Sequence, residues 1–205
     1  MNGRVELSER WPLPNLTDVR DTLLAAYADA ARGYHDTQHL TEVLDRLDDL
    51  PDAFDRLAVT LSAWFHDGVY DGRPFAEERS AQWASTALAD LDPALVAEVA
   101  RLVRLTETHR PSDDDANGCA LSDADLAILA APPERYAEYV AAVRAEYAHV
   151  PDDAFRAGRT AILDDLLAKS HLFHTAYARE HWEFPARRNV THEVGVMAAR
   201  SGSSG

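Results

Sequence analysis

The sequence predicts an all-α protein, a single compact bundle of about eight to nine helices. Apolar residues recur at helical spacing between breaks made by Pro, Gly and Asp. No segment combines strict apolar–polar alternation with the β-branched enrichment of strands. Hydrophobic residues make up 46% of the 205 residues, which is enough for a core. The predicted domain covers residues 1–200, and the tail SGSSG, residues 201–205, has the composition of a flexible linker or a cloning remnant.

The first half of the chain predicts five helices, each closed by a recognisable break. Gly33 closes the first, Pro51 ends the second, and Asp92-Pro93 separates the fourth from the fifth. The third is apolar on nearly all sides, so it is expected to be the central helix of the bundle. The predicted bounds are 16–32, 39–50, 53–67, 75–90 and 94–109.

The second half predicts a short helix followed by three longer ones. The short helix, SDADLAILA, starts with Ser122 as a plausible N-cap, and Pro132-Pro133 separates it from the next. The last helix carries Pro185 inside it and is expected to break there. The predicted bounds are 122–130, 134–150, 152–170 and 178–199.

Composition and charge exclude several classes of protein. The formal net charge of -15 argues against nucleic acid as the main partner, because phosphate backbones require clustered Lys and Arg. No run approaches the roughly 20 apolar residues of a membrane helix, and the N-terminus lacks a signal-peptide core, so a cytoplasmic location without a membrane partner is expected. The single Cys119 excludes an internal disulfide framework and a CxxC metal site.

The stretch LSAWFHDGVYDG, residues 61–72, places an imidazole and a carboxylate at the end of the most apolar helix. His66 and Asp67 are both costly to desolvate there, and coordination of a cation removes that cost. Taken alone, an HD dipeptide is often a chance occurrence. A cation would also supply the local positive charge that an anionic substrate needs on an acidic protein.

Other candidate ligands lie near predicted helix ends. His35 and His39 are four residues apart and would share one helix face, His109 ends a predicted helix, and Asp123 and Asp125 begin another. Imidazole and carboxylate together suit Mn, Fe, Co, Ni or Zn, or Mg where carboxylates dominate. The simpler alternatives are solvated histidines in GYHDTQHL, and interactions of Asp123 and His109 with helix dipoles.

Taken together, the motifs resemble the HD superfamily of metal-dependent phosphohydrolases. The closest resemblance is to a bacterial group known only as predicted HD-type phosphohydrolases, and it runs from about residue 15 to residue 195. It rests on the following stretches: YHDTQHLTEVL, AWFHDGVYDG, AEERSA, LTETH, LSDADLAIL, AEYVAAVRAEY, FRAGRTAIL and ARRNVTHE. The resemblance implies an HD-domain bundle.

The resemblance also implies a ligand set for one divalent ion. His39 matches the first ligand, His66 and Asp67 match the name-giving pair, and Asp125 matches the final Asp, with Asp123 as the open alternative. The native ion is left open among Mn, Co, Ni, Fe, Zn and Mg. The chain lacks the closely following histidine pair of some dinuclear members, which argues against a second metal. By the same resemblance, His35 and His109 could contact the ligands, face the substrate or bind a second ion, so the number of ions stays open.

The activity implied is hydrolysis of a small phosphorylated metabolite or nucleotide by metal-activated water. The expected acid–base candidates are His109, His35, Asp123 and Glu78. The guanidinium groups expected to hold the phosphate are those of Arg79, Arg104, Arg110 and Arg159.

Two other functions stay open at this point. An HD-fold di-iron oxygenase would use extra histidines, for which only His35 and His109 are available. A non-catalytic regulatory domain would keep a metal for stability alone. The sequence does not say whether Arg187, Arg188 and Asn189 touch a substrate or lock the last helix to the core, and it leaves the oligomeric state open.

Overall fold

A computed structural model describes residues 6–51 and 53–201 of the chain, and regular secondary structure in these residues is entirely helical. The predicted all-α class is therefore confirmed. Two short 3-10 helices, Leu7–Arg10 and Ala127–Ala130, accompany the α-helices. The α-helices are α1 (Thr17–Tyr27), α2 (Thr37–Asp49), α3 (Arg56–Phe65), α4 (Ala76–Ala87), α5 (Pro93–Leu105), α6 (Ala116–Leu126), α7 (Pro133–Glu146), α8 (Asp152–Ala168), α9 (Ala176–His181) and α10 (Glu183–Ser201).

The start of α6 differs from the prediction. Ser122 was expected to cap a helix, but α6 begins at Ala116 and Ser122 is buried in its interior. The Asp115 carboxylate accepts a hydrogen bond from the Gly118 amide at 2.9 Å, which satisfies a backbone donor near the helix start. A Cβ atom on Gly118 would come within 2.7 Å of the Leu105 side chain. This glycine therefore allows α5 and α6 to approach closely, although the sequence makes it look like a loop residue.

The break in the C-terminal helical region also lies elsewhere. It falls at Trp182, between α9 and α10, so the prediction of a break at Pro185 is wrong. Pro185 lies in the first turn of α10, where its missing N–H costs no helical hydrogen bond. The helix continues to Ser201, and residues 202–205 of the predicted tail lie outside the described residues.

Helix α3 is the most deeply buried element of the N-terminal half. Its residues from Ala58 onward are buried except Thr60, and the exposed fraction of Trp64 and Phe65 is 0%. It packs against α2, α4 and α5, which surround it. The predicted central helix is therefore central. The His66-Asp67 pair follows its buried, largely apolar residues directly at the C-terminal end.

The chain folds into two compact units, Met1–Asp125 and Leu126–Gly205. The first contains α1 to α5 and nearly all of α6, and the second contains α7 to α10. The predicted single domain over residues 1–200 stays a prediction. Among the described residues, no helix combines the length and the apolar composition needed to cross a membrane.

Within the second unit, polar side chains of α10 bind main-chain carbonyl groups. The Asn189 amide donates to the carbonyls of Leu129 and Ala131, both at 2.9 Å. The Arg187 guanidinium donates to the carbonyls of Leu167 and Lys169 at 3.1 and 2.7 Å. These contacts hold α10 against neighbouring segments of its unit.

Candidate functional site

The first member of the site, His39, is fixed by the start of α2. Asp36 is the N-cap, and its carboxylate accepts hydrogen bonds from the amides of Gln38 and His39 at 2.8 and 3.2 Å. This cap places His39 in the first helical turn, where its side chain is buried. The ring Nδ1 lies 2.9 Å from the Tyr34 hydroxyl, which leaves Nε2 facing the interior of the site.

The second member, His66, is fixed by the end of α3. Its backbone N–H donates to the Ser62 carbonyl at 2.8 Å, which continues the helical pattern by one residue. Its ring Nδ1 lies 2.7 Å from the Ala63 carbonyl oxygen. Because a carbonyl oxygen only accepts, Nδ1 carries the proton and the neutral ring presents a lone pair at Nε2. Main-chain geometry thus selects the tautomer that binds a metal through Nε2.

Gly68 allows the turn after this pair to close tightly. A Cβ atom at this position would lie 3.1 Å from the Phe65 carbonyl oxygen and 3.1 Å from the ring of Trp83. The absence of a side chain lets the backbone turn directly beneath Trp83. The chain can therefore present His66 and Asp67 to the same point.

The two imidazoles and one carboxylate converge. His39 Nε2 lies 3.0 Å from His66 Nε2, and Asp67 Oδ2 lies 3.3 and 3.1 Å from these two nitrogens. The potential ligand atoms of the three residues all lie within 4.8 Å of one another. Two imidazole nitrogens and a carboxylate oxygen at such separations have the composition of a metal-binding group.

Asp125 brings a second carboxylate to the same point from the last turn of α6. Its Oδ1 lies 3.3 Å from His39 Nε2 and 3.7 Å from His66 Nε2. The side chain is only 13% exposed, as is that of Asp67. Four side chains from the ends of three helices therefore meet in one place; we call this group the His–Asp cluster. Asp123 is fully buried in the same helix, and its predicted catalytic role stays a prediction.

The pKa values of the cluster show that it attracts positive charge. Burial alone would lower the pKa of His39, but hydrogen bonds with Asp125 and Asp67 outweigh burial and raise it to about 10. Burial alone would raise the pKa of Asp67, but the charges of His66 and His35 hold it well below its usual range. Two ionised carboxylates are thus buried beside two imidazoles, and a cation between them would offset the cost of their desolvation.

The group of donors fits a divalent ion. His66 Nε2 presents a lone pair, and it faces a second imidazole nitrogen and two carboxylate oxygens. Electron-rich atoms packed this closely repel one another unless a proton or a metal ion lies among them. Two neutral imidazoles with two carboxylates would balance a charge of +2.

His109 lies at the edge of the cluster. It was predicted to end a helix, but α5 ends at Leu105, and His109 follows in a left-handed turn with φ of 49°. Its Nε2 is 3.7 Å from Asp125 Oδ2, and its Nδ1 is 3.4 Å from the Ser122 hydroxyl. The side chain is 21% exposed. An uncommon backbone conformation for a non-glycine residue aims a partly exposed imidazole at the cluster.

His35 also lies beside the cluster but not on α2. The sequence placed it on one helix face with His39, whereas α2 begins only at Thr37. Its ring stacks on that of Tyr70, with centroids 4.0 Å apart and planes 24° apart, and lies 5.5 Å from the ring of His39. His35 is therefore held by a loop contact rather than by helical spacing.

Two of the arginines expected to hold phosphate are paired with carboxylates of the first unit. Arg79 donates to both oxygens of Asp71 at 2.7 Å. Arg104 donates to Glu78 at 2.9 Å, and this hydrogen bond is the main reason that the pKa of Glu78 is lowered to about 2. A Glu78 carboxyl with this pKa is ionised at neutral pH. The predicted substrate-binding and catalytic roles of these residues stay predictions.

The other two arginines lie apart from these pairs. Arg110 is exposed, directly after His109. Arg159 belongs to the second unit, where its Nε donates to Glu193 at 2.9 Å and its guanidinium lies 5.0 Å from the centre of the Tyr139 ring. Their predicted contact with a substrate also stays a prediction.

Sequence reasoning missed three residues that support the cluster. Tyr34 contacts His39, the Tyr27 hydroxyl accepts from the Asp67 amide at 3.2 Å, and Arg32 donates to the Asp67 carbonyl at 2.7 Å. Tyr34 stands beside His35 in the GYHDTQHL motif, so its proximity to His39 was a usable signal. The contacts of Tyr27 and Arg32 are long-range, and no local pattern identifies them.

Comparisons with protein families, with characterised proteins and with solved structures find no match to this chain. The geometry of the His–Asp cluster is therefore the basis for a functional interpretation.

Proposed function

We propose that this chain is a metal-dependent phosphohydrolase of the HD type, acting on a small phosphorylated metabolite or nucleotide. One observation carries the proposal. His39, His66, Asp67 and Asp125 come from the ends of three helices; the two imidazole nitrogens lie 3.0 Å apart, and each lies 3.1 to 3.7 Å from an oxygen of each carboxylate. Their order along the chain is that of the resemblance drawn from the sequence.

The proposed cofactor is one divalent ion held by these four residues. Mn, Fe, Co, Ni and Zn accept mixed imidazole and carboxylate donors, and Mg would favour the carboxylates. Such an ion, when bound, lowers the pKa of water and offsets charge on phosphoryl oxygens. The residues of the chain supply the rest of the chemistry, which is orientation and proton transfer.

His109 is proposed to exchange a proton with the leaving group. Its ring is partly exposed while its Nε2 remains 3.7 Å from Asp125, so it borders both solvent and the cluster. Imidazole is the side chain most often used for general acid–base catalysis near neutral pH. His35, which stacks on Tyr70 beside the cluster, is proposed to contact the substrate.

The proposal is tested by hydrolysis of a generic phosphodiester and a generic phosphomonoester. Purified protein is loaded separately with Mn, Co, Ni, Mg or Zn. We expect metal-dependent turnover that falls more than about 100-fold in His66→Ala and Asp67→Ala, because removing a ligand exceeds the 10–100-fold effect of removing a ligand's partner. His192→Ala, an exposed histidine in the second unit, is the matched control and should retain activity.

Two outcomes would overturn the proposal. Equal turnover in wild type and His66→Ala would place the hydrolysis elsewhere, for example in a contaminating enzyme. Tight binding of an ion to the wild type, without turnover of nucleotides or sugar phosphates under any loading, would instead indicate a non-catalytic metal-binding domain.

A further inference from the structure

Arg32 links two of the three segments that carry the cluster. It is half-buried in the turn between α1 and α2. One of its terminal nitrogens donates to the carbonyls of His35 and Asp67 at 2.8 and 2.7 Å, and the other donates to the carbonyl of Gly68 at 2.9 Å. The first carbonyl belongs to the segment that leads into α2, and the other two belong to the turn that ends α3. A single guanidinium thus joins the approach to His39 with the backbone of the His66-Asp67 turn.

Tyr27 contacts both Arg32 and the backbone of Asp67; we call Arg32 and Tyr27 together the clamp. The Arg32 guanidinium lies 4.9 Å from the centre of the Tyr27 ring, and the Tyr27 hydroxyl accepts a hydrogen bond from the Asp67 amide at 3.2 Å. Both main-chain polar groups of Asp67 are therefore engaged, the N–H by Tyr27 and the carbonyl by Arg32. With its backbone held on both sides, Asp67 projects its carboxylate in one direction.

The clamp also contacts the segment of residues 34–36, which leads to His39. Arg32 holds the carbonyl of His35, and the neighbouring Tyr34 places its hydroxyl 2.9 Å from His39 Nδ1. The Asp36 amide donates to the Tyr34 carbonyl at 2.8 Å, so this turn is closed just before the N-cap of α2. Movement of the His35 backbone would therefore move Tyr34 and, through it, the ring of His39.

We infer that Arg32 is a positioning residue for the metal site: it does not touch the ion, but it fixes the distance between the donors of His39 and Asp67. This inference rests on the proposed function in so far as it assumes the His–Asp cluster holds a metal. An ammonium group cannot replace the guanidinium, because three carbonyl oxygens in two segments require a planar donor with several N–H groups. A lysine would donate to some of these three carbonyl groups and would leave the two segments free to separate.

The test is titration of Co²⁺ into metal-free wild type, Arg32→Lys and Arg32→Ala, followed by calorimetry and by the visible absorption spectrum of bound Co²⁺. Removing a residue that orients ligands typically weakens metal binding about 10- to 100-fold. We expect that loss in Arg32→Ala, a smaller loss in Arg32→Lys, and an altered Co²⁺ spectrum in both. The spectrum reports the geometry of the donors, which a general loss of stability would not change.

Arg56 provides a matched control within the same pair of helices. It is half-buried, its guanidinium lies 5.2 Å from the centre of the Phe54 ring, and it donates to the carbonyls of Leu47 and Leu50. These contacts join α2 and α3 at the ends opposite the cluster. Arg56→Ala should therefore leave Co²⁺ affinity and spectrum unchanged, even where it lowers the unfolding temperature.

The outcomes separate this inference from the proposed function. Wild-type affinity and spectrum in Arg32→Ala, or an equal loss in Arg56→Ala, would overturn the positioning role alone. If Arg32→Ala does not fold, Arg32→Lys decides by the same criteria. Binding of Co²⁺ without hydrolysis would overturn the proposed activity and leave the role of Arg32 standing, whereas a wild type that binds no ion would overturn both.

Discussion

At the scale of single residues, the choice between Asp123 and Asp125 is set by helical geometry. Positions two apart on an α-helix point about 200° apart, so the two carboxylates leave α6 on nearly opposite faces. Asp125 directs Oδ1 to within 3.3 Å of His39 Nε2. The sequence left this choice open because both aspartates lie in the same short motif, LSDADLAIL.

Substitution of the two aspartates tests this assignment. Asp125→Asn should weaken binding of a divalent ion about 100-fold, because a neutral amide replaces an anionic oxygen at the cluster. Asp123→Asn should bind within a few-fold of wild type. Calorimetric titration of the metal-free proteins measures both, and a larger loss in Asp123→Asn than in Asp125→Asn would contradict the assignment.

His109 contributes an imidazole from an uncommon backbone conformation. Two substitutions can separate the effect of the imidazole from that of the backbone. His109→Ala should reduce kcat for phosphoester hydrolysis by at least about 100-fold, the lower end of general acid–base effects, while metal affinity changes little. His109→Asn keeps a residue type that tolerates the left-handed region. Equal slowing of both variants would assign the effect to the imidazole, and recovery in His109→Asn would contradict that and implicate the turn.

The sequence predicted which side chains carry the cluster better than how they are held. His39, His66, Asp67 and Asp125 were all expected from the family resemblance, with Asp123 left open as the alternative to Asp125. The four-residue spacing of His35 and His39 gives a shared face only if both residues lie on a helix, and the Asp36 N-cap starts α2 after His35. The role of Arg32 depends on carbonyl groups more than 30 residues away, which no local pattern contains.

At the scale of elements, breaks in the sequence identified most helices, and glycine and proline caused the errors. Pro51 and Asp92-Pro93 mark helix ends correctly because proline either stops a helix or starts one. Gly118 lies inside α6, where a Cβ atom would clash with the Asp115 carboxylate and come within 2.7 Å of the Leu105 side chain. Pro185 lies in the first turn of α10, where proline is tolerated. In each case tertiary context decided between two roles that the residue type permits.

The N-caps of α2 and α3 allow the effect of a cap on helix stability to be distinguished from its effect on metal affinity. Asp36 caps the end of α2 that bears His39, and Asp55 caps the end of α3 that is far from His66. Replacing either by Ala should lower the free energy of unfolding by about 1 kcal/mol, as is typical for loss of a cap. Only Asp36→Ala should also weaken metal binding, because only that cap fixes a turn that carries a ligand.

Urea denaturation and metal titration of both variants measure these two effects independently. Equal weakening of metal affinity in Asp36→Ala and Asp55→Ala would show that affinity follows overall stability, contrary to the expectation. Unchanged affinity in both would show that the position of His39 does not depend on its cap.

At the scale of the whole molecule, the His–Asp cluster lies entirely within the unit Met1–Asp125 of a chain with a net charge of -15. Its four side chains are separated by as many as 86 residues, from position 39 to position 125, so they come together only when this unit is folded. A ligand that binds only the folded state stabilises it by mass action. Binding of the proposed metal ion would therefore be coupled to folding of this unit.

Removal of the metal tests this coupling. A divalent ion at 100 times its Kd should raise the free energy of unfolding by about 2.7 kcal/mol, and a chelator should reverse the change. Chemical denaturation followed by far-UV circular dichroism measures the difference. His66→Ala should show no such response, and an equal response in that variant would mean that the stabilising ion binds somewhere else.

The hydrogen bond from His66 Nδ1 to the Ala63 carbonyl has a consequence for ion selection. Since the main chain has already assigned the ring proton, the imidazole needs no rearrangement to receive an ion. The size of each ion and the ease with which it loses hydration water then decide which ion binds. Mg²⁺ gives up its water reluctantly, so the preorganised cluster would favour softer and more readily dehydrated ions in the proposed metal site.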